Sequence, residues 1–134
     1  MGLRRSEVVE PRLVAVPPSR PEDAREGPGR QHPRDAAGLL LQIQADEPAQ
    51  RRWAARDLAA HPDTAPALVS RLLSEPERSV RDAIFTSLAA HANAQAAEAL
   101  LPLLRSETAE LRNGAIEALS AMPDAVAPHI DQLL

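Results

Sequence analysis

The chain has 134 residues, and its 15 basic against 19 acidic side chains leave a net charge of −4, room for one domain of ordinary size. It has no cysteine and all of its basic residues are arginine, which excludes disulfides, thiolate metal sites, a cysteine nucleophile, Schiff-base chemistry and a phosphate-loop lysine. Alanine (26) and leucine (18) dominate the apolar residues, and Trp53 and Phe85 are the two aromatics, a composition that argues against a β-sandwich or barrel.

Residues 1–34 carry seven arginines against five acids. Met1-Gly2-Leu3-Arg4-Arg5-Ser6 fits the loose N-myristoylation pattern; the pattern is short, and chance explains it. Arg4-Arg5 leads into Ser6-Glu7-Val8-Val9-Glu10, which lacks the apolar core of a secretory or twin-arginine signal, and no apolar run is long enough to cross a bilayer. These features point to the cytoplasm. Val8–Val16 is strand-like in composition but interrupted by Pro11, and reads either as a docking segment on a tether or as a frayed terminus. Residues 17–34 hold five of the 13 prolines and two of the five glycines. They read as a flexible linker, so residues 1–34 form a disordered, Pro- and Arg-rich arm.

From residue 35 onward the pattern is helical, and it repeats. Val80–His91 aligns with Leu111–Met122 at a shift of 31 and with Gln50–His61 at a shift of 30. Arg51, Arg81 and Arg112 coincide, as do Leu58, Leu88 and Leu119. Self-similarity near this period marks stacked supersecondary units rather than a single closed core. Each unit reads as two helices, the second with an apolar stripe at Val80, Ala83/Ile84 and Ser87/Leu88. The spacing predicts seven helices, near 35–46, 48–61, 64–74, 77–91, 93–105, 108–121 and 124–134. Asp63, Asn93 and Asp124 stand at matching starts as N-caps, with Pro62 and Pro123 stopping the preceding helices. Ala54, Ala55, Ala83, Gly114, Ala115 and Ala118 allow close helix approach. Leucines 40, 41, 72, 73, 103, 104, 133 and 134 supply the apolar filling.

Glu75-Pro76-Glu77-Arg78-Ser79-Val80-Arg81-Asp82-Ala83-Ile84 resembles a HEAT repeat of the short bacterial kind found in phycobilin-lyase-like proteins. Val80-Arg81, Ala83 and Leu88 match, and Leu111-Arg112 with Leu119 matches next. The first unit departs from the pattern, with Gln50 for the apolar residue and Trp53 for the small one. The resemblance covers about residues 35–134 and implies an all-α, short right-handed α-solenoid of helix pairs. It also implies a structural ladder of Arg51, Arg81 and Arg112 paired with acids of their own or a neighbouring unit. Glu47/Arg51 and Glu77/Arg81 have the favourable order at four residues' spacing. Thr108 replaces the acid in the third unit and leaves Arg112 to Glu107 or to a neighbouring unit.

Chemistry-bearing motifs are sparse. His61 and His91 fall at equivalent positions of successive units, about 8–10 Å apart, too far for one metal whose nitrogen ligands sit at about 2 Å. A role at helix ends suits them better, and His32 and His129 join no ligand set. The expectation is therefore no metal and no cofactor. Trp53 and Asp57 share a helix face beside Arg51, Arg52, Arg56 and Arg81. This is similar to the Trp/Asp/Arg groups that HEAT-like alkylpurine DNA glycosylases bring to a damaged nucleotide. Those enzymes are longer and broadly basic, whereas residues 35–134 carry eight arginines against 14 acids, which disfavours a nucleic-acid partner. Pairing of Asp57 with Arg52 or Arg56 is the structural alternative.

At the other end, Ile130, Leu133 and Leu134 belong to a first-of-pair helix without a second. They form a candidate contact surface for another copy of the chain or for a partner, unless the chain is a truncated product. The expected function is a non-enzymatic protein-interaction scaffold or adaptor, with Arg52, Trp53, Arg56 and Asp57 as candidate binding residues. The alternative is a lyase-like accessory subunit for attachment of a chromophore or prosthetic group.

Overall fold

Asp35 opens the first described helix: its carboxylate accepts from the amide of Gly38 at 2.8 Å and caps α1, Ala36–Gln42. The computed structural model describes residues 34–130. The predicted arm, apart from Arg34, and Leu133 and Leu134 lie outside them. Six further helices follow α1 among the described residues: α2 Pro48–Asp57, α3 Ala65–Ser74, α4 Arg78–His91, α5 Ala94–Leu100, α6 Ala109–Ser120 and α7 Pro123–Val126. Three of them run on into 3₁₀ turns, Leu58–Ala60 after α2, Leu101–Arg105 after α5 and Ala127–His129 after α7.

Where the helices end differently from the prediction, the chain shows why. α1 stops at Gln42 rather than near residue 46, because the Ala45 and Asp46 carbonyls turn to accept from Arg51 Nη1, both at 2.8 Å. The helix predicted over 93–105 changes to a 3₁₀ turn at Leu101, where Pro102 has no N–H to continue the α ladder. Of the three expected caps only Asn93 serves, accepting from the Ala96 amide at 2.8 Å. Asp63 lies one residue outside the α3 cap, Thr64, whose hydroxyl instead donates to the His61 carbonyl at 2.7 Å. Asp124 sits inside α7, whose first residue is Pro123, so this proline opens a helix rather than stopping one. α4 ends on Ala92 in the left-handed conformation, φ 49° and ψ 41°, a position that glycine normally fills.

The helices pack as successive pairs, α1 with α2, α3 with α4, and α5 and its 3₁₀ turn with α6. Neighbouring pairs align so that α2, α4 and α6 form a front layer and α3, α5 and α7 a back layer. This is the all-α stack of helix pairs that the repeat requires. Fully buried side chains follow the stripe of each helix: Leu39, Leu58, Leu68, Leu72, Ile84, Leu88 and Leu100. Small residues sit where the layers touch, with Ala54, Ala55 and Ala115 wholly buried. The leucine doublets divide their labour. Leu72 and Leu103 are buried, whereas Leu41 and Leu73 point out at 60% and 61% exposure, and Leu39 supplies the filling in the first unit instead. Among the described residues no helix is long and apolar enough to cross a membrane.

The seam between the first two units is polar as well as apolar. The Ser87 hydroxyl donates to the Ala55 carbonyl, and His91 Nε2 donates to the Leu58 carbonyl at 2.9 Å. Asn93 Nδ2, at the start of the third unit, donates to the carbonyl of Pro62, in the connection that leads into α3, at 2.9 Å. His91 thus serves the end of the preceding unit's helix rather than its own. At the next seam the positions of Ser87 and His91 are taken by Ala118 and Met122, and those carbonyl bonds have no counterpart.

Candidate functional site

The ladder arginines stand at the starts of the front-layer helices and reach back over the turn that leads into each. Arg51 grips Ala45 and Asp46; Arg81 donates through Nη1 to the carbonyls of Glu75 at 3.0 Å and Pro76 at 2.9 Å; Arg112 donates to the Ser106 carbonyl at 2.8 Å. Arg51 and Arg81 fasten the residues five and six positions upstream and Arg112 the residue six upstream, so a helix start satisfies carbonyls of its own approach turn.

The free edge of the guanidinium then reaches forward. Arg51 forms a bidentate pair with Glu75 of the second unit, Nε to Oε1 at 2.8 Å and Nη2 to Oε2 at 2.9 Å. Arg81 pairs with Glu110 of the third unit at 2.8 Å. Glu47 and Glu77, the acids four residues upstream, do not form these pairs. Arg112 has no carboxylate partner among the described residues, Glu107 included. The forward acid changes place because Ser106 occupies the position of Glu75 one unit on.

Glu75 is the centre of this network. Its side chain is wholly buried and also accepts from Arg71 Nε at 3.1 Å and from the Glu77 amide at 3.0 Å. Burial alone pushes its carboxyl pKa up, but the Arg51 hydrogen bonds, the Glu77 amide and the two guanidinium charges outweigh it, and the group is held below the usual carboxylate range. Hydrogen bonding to Glu75 raises Arg51 further, against its own desolvation. Arg71 and Glu75 were missed in the sequence, although they stand four residues apart and Glu75 opens the acidic-proline turn.

Several of the residues around Trp53 are engaged by groups outside that cluster. Arg51 is committed to the seam and Arg81 to its turn and Glu110. Asp57, 18% exposed at its side chain, accepts from Arg34 at 3.3 Å rather than from Arg52 or Arg56. Trp53 and Arg52 are half-buried and Arg56 is exposed on α2. Among the described residues no three His, Cys, Asp or Glu side chains are placed to hold a metal. His129 comes within 3.9 Å of Glu98. Ile130 is 49% exposed at the end of the described chain.

A feature that sequence reasoning did not find lies between α4 and α6. An open groove of about 860 Å³ runs along the front layer, lined on one side by Phe85 and Ala89 and on the other by Gly114, Ile116 and Glu117. Gly114 makes it possible: a Cβ there would fall 2.2 Å from Phe85 Cε2, so the ring lies directly on the α6 backbone. Ile116 stands 49% exposed beside it. The groove's hydroxyls turn inward to their own helices, Thr86 to the Asp82 carbonyl at 2.9 Å and Ser120 to the Ile116 carbonyl at 2.8 Å. An apolar floor with occupied hydroxyls suits contact with another molecule better than covalent chemistry.

A family model described as HEAT repeats matches residues 36–120. No curated protein and no solved structure matches the chain.

Proposed function

Because the chain belongs to the HEAT-repeat family, we propose that it acts as a non-enzymatic scaffold or adaptor that seats a protein partner on its front layer. The observation that supports this reading is the open groove between α4 and α6, floored by Phe85 on Gly114, edged by Ile116 and without an activated nucleophile. Repeat arrays present extended surfaces of this kind, and a large aromatic side chain beside an exposed aliphatic one is the composition of a binding anchor. The arm of residues 1–34 assists capture, and the surface around Ile130 is a second contact face, for a partner or another copy. Within the family we place the chain with the short phycobilin-lyase-like units, on Val80-Arg81, Ala83 and Leu88, and in the cytoplasm of a bacterium.

The accessory role in attaching a chromophore would use the same groove, and a coloured product after heterologous purification would favour it. The glycosylase reading loses support from the commitment of Arg51 and Arg81 to Glu75 and Glu110. Affinity capture from the native host tests the scaffold directly, with the wild-type chain and with Ile116→Glu as baits. Ile116 is half exposed, so the variant keeps its fold, which circular dichroism verifies. The expected result is a partner recovered by the wild type and lost with the variant. Equal recovery by both baits, or nothing specific from either, would refute it.

A further inference from the structure

The front layer carries its unpaired charges in a definite order. Aligned by repeat, Arg52, Asp82 and Asn113 occupy one position of α2, α4 and α6, half-buried at Arg52 and exposed at the other two, and Arg56, Thr86 and Glu117 occupy the next, all three exposed. Among the described residues Arg52 and Arg56 make no ion pair, so α2 presents two unshared cations. On α4 Asp82 lies 3.9 Å from Arg78, both well exposed, and the pair is close to neutral. On α6 Glu110 is shared with Arg81, whereas Glu117 has no partner among the described residues. Charge therefore runs from positive through neutral to negative across three adjacent helices, with Phe85 between the ends and Ile116 beside the negative one. At about 8–10 Å per helix step, the two poles stand roughly 20 Å apart.

We propose that this face binds an extended segment of a partner protein with an acidic end, an apolar centre and a basic end. This rests on the scaffold reading above and specifies its partner. The acidic end lies over Arg52 and Arg56, an apolar side chain enters the groove against Phe85 and Ile116, and the basic end meets Glu117. About six residues of extended chain span the distance between the poles. Such a chain needs hydrogen-bond partners for its backbone, and Asn113 offers one: its carboxamide, exposed at the groove wall, is engaged by no hydrogen bond among the described residues. Opposite charges at the two ends also fix the direction in which the segment lies, and they disfavour uniformly charged partners such as nucleic acid.

Fluorescence anisotropy on the full chain tests this with three labelled probes of about ten residues. The first has glutamates at one end, arginines at the other and a leucine at the centre; the second is arginine-ended at both ends; the third is a glycine-serine peptide. The wild type should prefer the first probe, with an affinity that weakens as salt is raised. Arg52→Glu/Arg56→Glu should lose about tenfold for the first probe and gain for the second, reversing the preference. Ile116→Glu should weaken both. If the arginine swap leaves the preference unchanged while Ile116→Glu still abolishes binding, the polarity proposal is overturned and the scaffold reading stands. If Ile116→Glu binds like the wild type, or the first probe binds no better than glycine-serine, the groove is not the contact site and both fall. A dimer in sedimentation that dissociates on Ile116→Glu would give the face to a second copy and also overturn the proposal.

Discussion

Replacing Glu75 by glutamine removes a charge that no water reaches while leaving its volume almost unchanged. In the folded chain Oε1 accepts from Arg51 Nε at 2.8 Å and Arg71 Nε at 3.1 Å, and Oε2 from Arg51 Nη2 at 2.9 Å and the Glu77 amide at 3.0 Å. A carboxamide has one oxygen to offer, so two of these acceptances are lost and an NH₂ group faces two donors. A hydrogen bond to a charged group contributes about 1.5–3 kcal/mol. In addition, two guanidinium groups at 8% and 14% exposure keep their charge without a counter-ion. The cost should reach about 3–5 kcal/mol, the range for a buried pair deprived of one partner. Against a total stability of about 5–15 kcal/mol for a domain of this size, that is a visible drop in the urea midpoint by circular dichroism at neutral pH. The double variant Arg51→Met/Glu75→Leu should cost less than its two single changes summed, because neither charge is left facing a missing partner, although Arg71 keeps its charge and the Ala45 and Asp46 carbonyls lose their donor. A cost below about 1 kcal/mol for Glu75→Gln, or a double variant as unstable as the summed single changes, would refute the view of these residues as one coupled, desolvated unit.

The same carboxylate sets an acid limb. Its folded pKa is depressed, so its stabilisation is complete above the unfolded value of about 4.3 and is lost as pH falls through the folded one; the melting temperature of Glu75→Gln should fall less between pH 5 and pH 3, in about that window, than that of the wild type. Ala92→Gly should stabilise by about 1 kcal/mol, since a left-handed alanine becomes a glycine at a helix end; a neutral or negative urea shift contradicts this. Gly114→Ala gains helix propensity of about 1 kcal/mol but drives a methyl into Phe85, so it should destabilise the wild type and stabilise the Phe85→Ala background; the sign reversal in paired urea melts is the check. Leu88→Ala, wholly buried at the centre of the stack, should cost about 2–5 kcal/mol in the same assay.

The repeat was legible because a helix face imposes its own period, and Val80, Ile84 and Leu88 are all buried where the stripe put them. Features that depend on how one unit sits on the next were not. Four-residue spacing made Glu47 and Glu77 the natural partners of Arg51 and Arg81, yet the offset of the stack brings Glu75 and Glu110 closer. The groove is a similar case. One glycine in α6 and one phenylalanine in α4 are visible in the sequence, but their contact follows from the crossing of two helices that the periodicity does not specify. Asp63 failed as a cap for a local reason: Thr64 and Pro66 set the start of α3 one residue later. Trp53, Asp57 and Arg51 are neighbours in the chain and Arg81 is the equivalent of Arg51 one unit on, but backbone carbonyls and the acids of the following units engage both arginines.

The two seams of the stack differ in kind, and this has a mechanical consequence. Between the first and second units, Ser87 and His91 fasten backbone carbonyls and Arg51 clasps Glu75 inside the protein, so displacement in any direction breaks oriented bonds. Between the second and third, the front-layer contact is alanine, methionine and a phenylalanine ring on glycine, with the ion pair of Arg81 at the surface. Apolar contact has no preferred direction, so fewer oriented bonds oppose displacement at this joint than at the first. Under load the array would behave as a stiff root bearing a compliant tip, and the groove lies along the compliant joint, where a small shear can widen or narrow it.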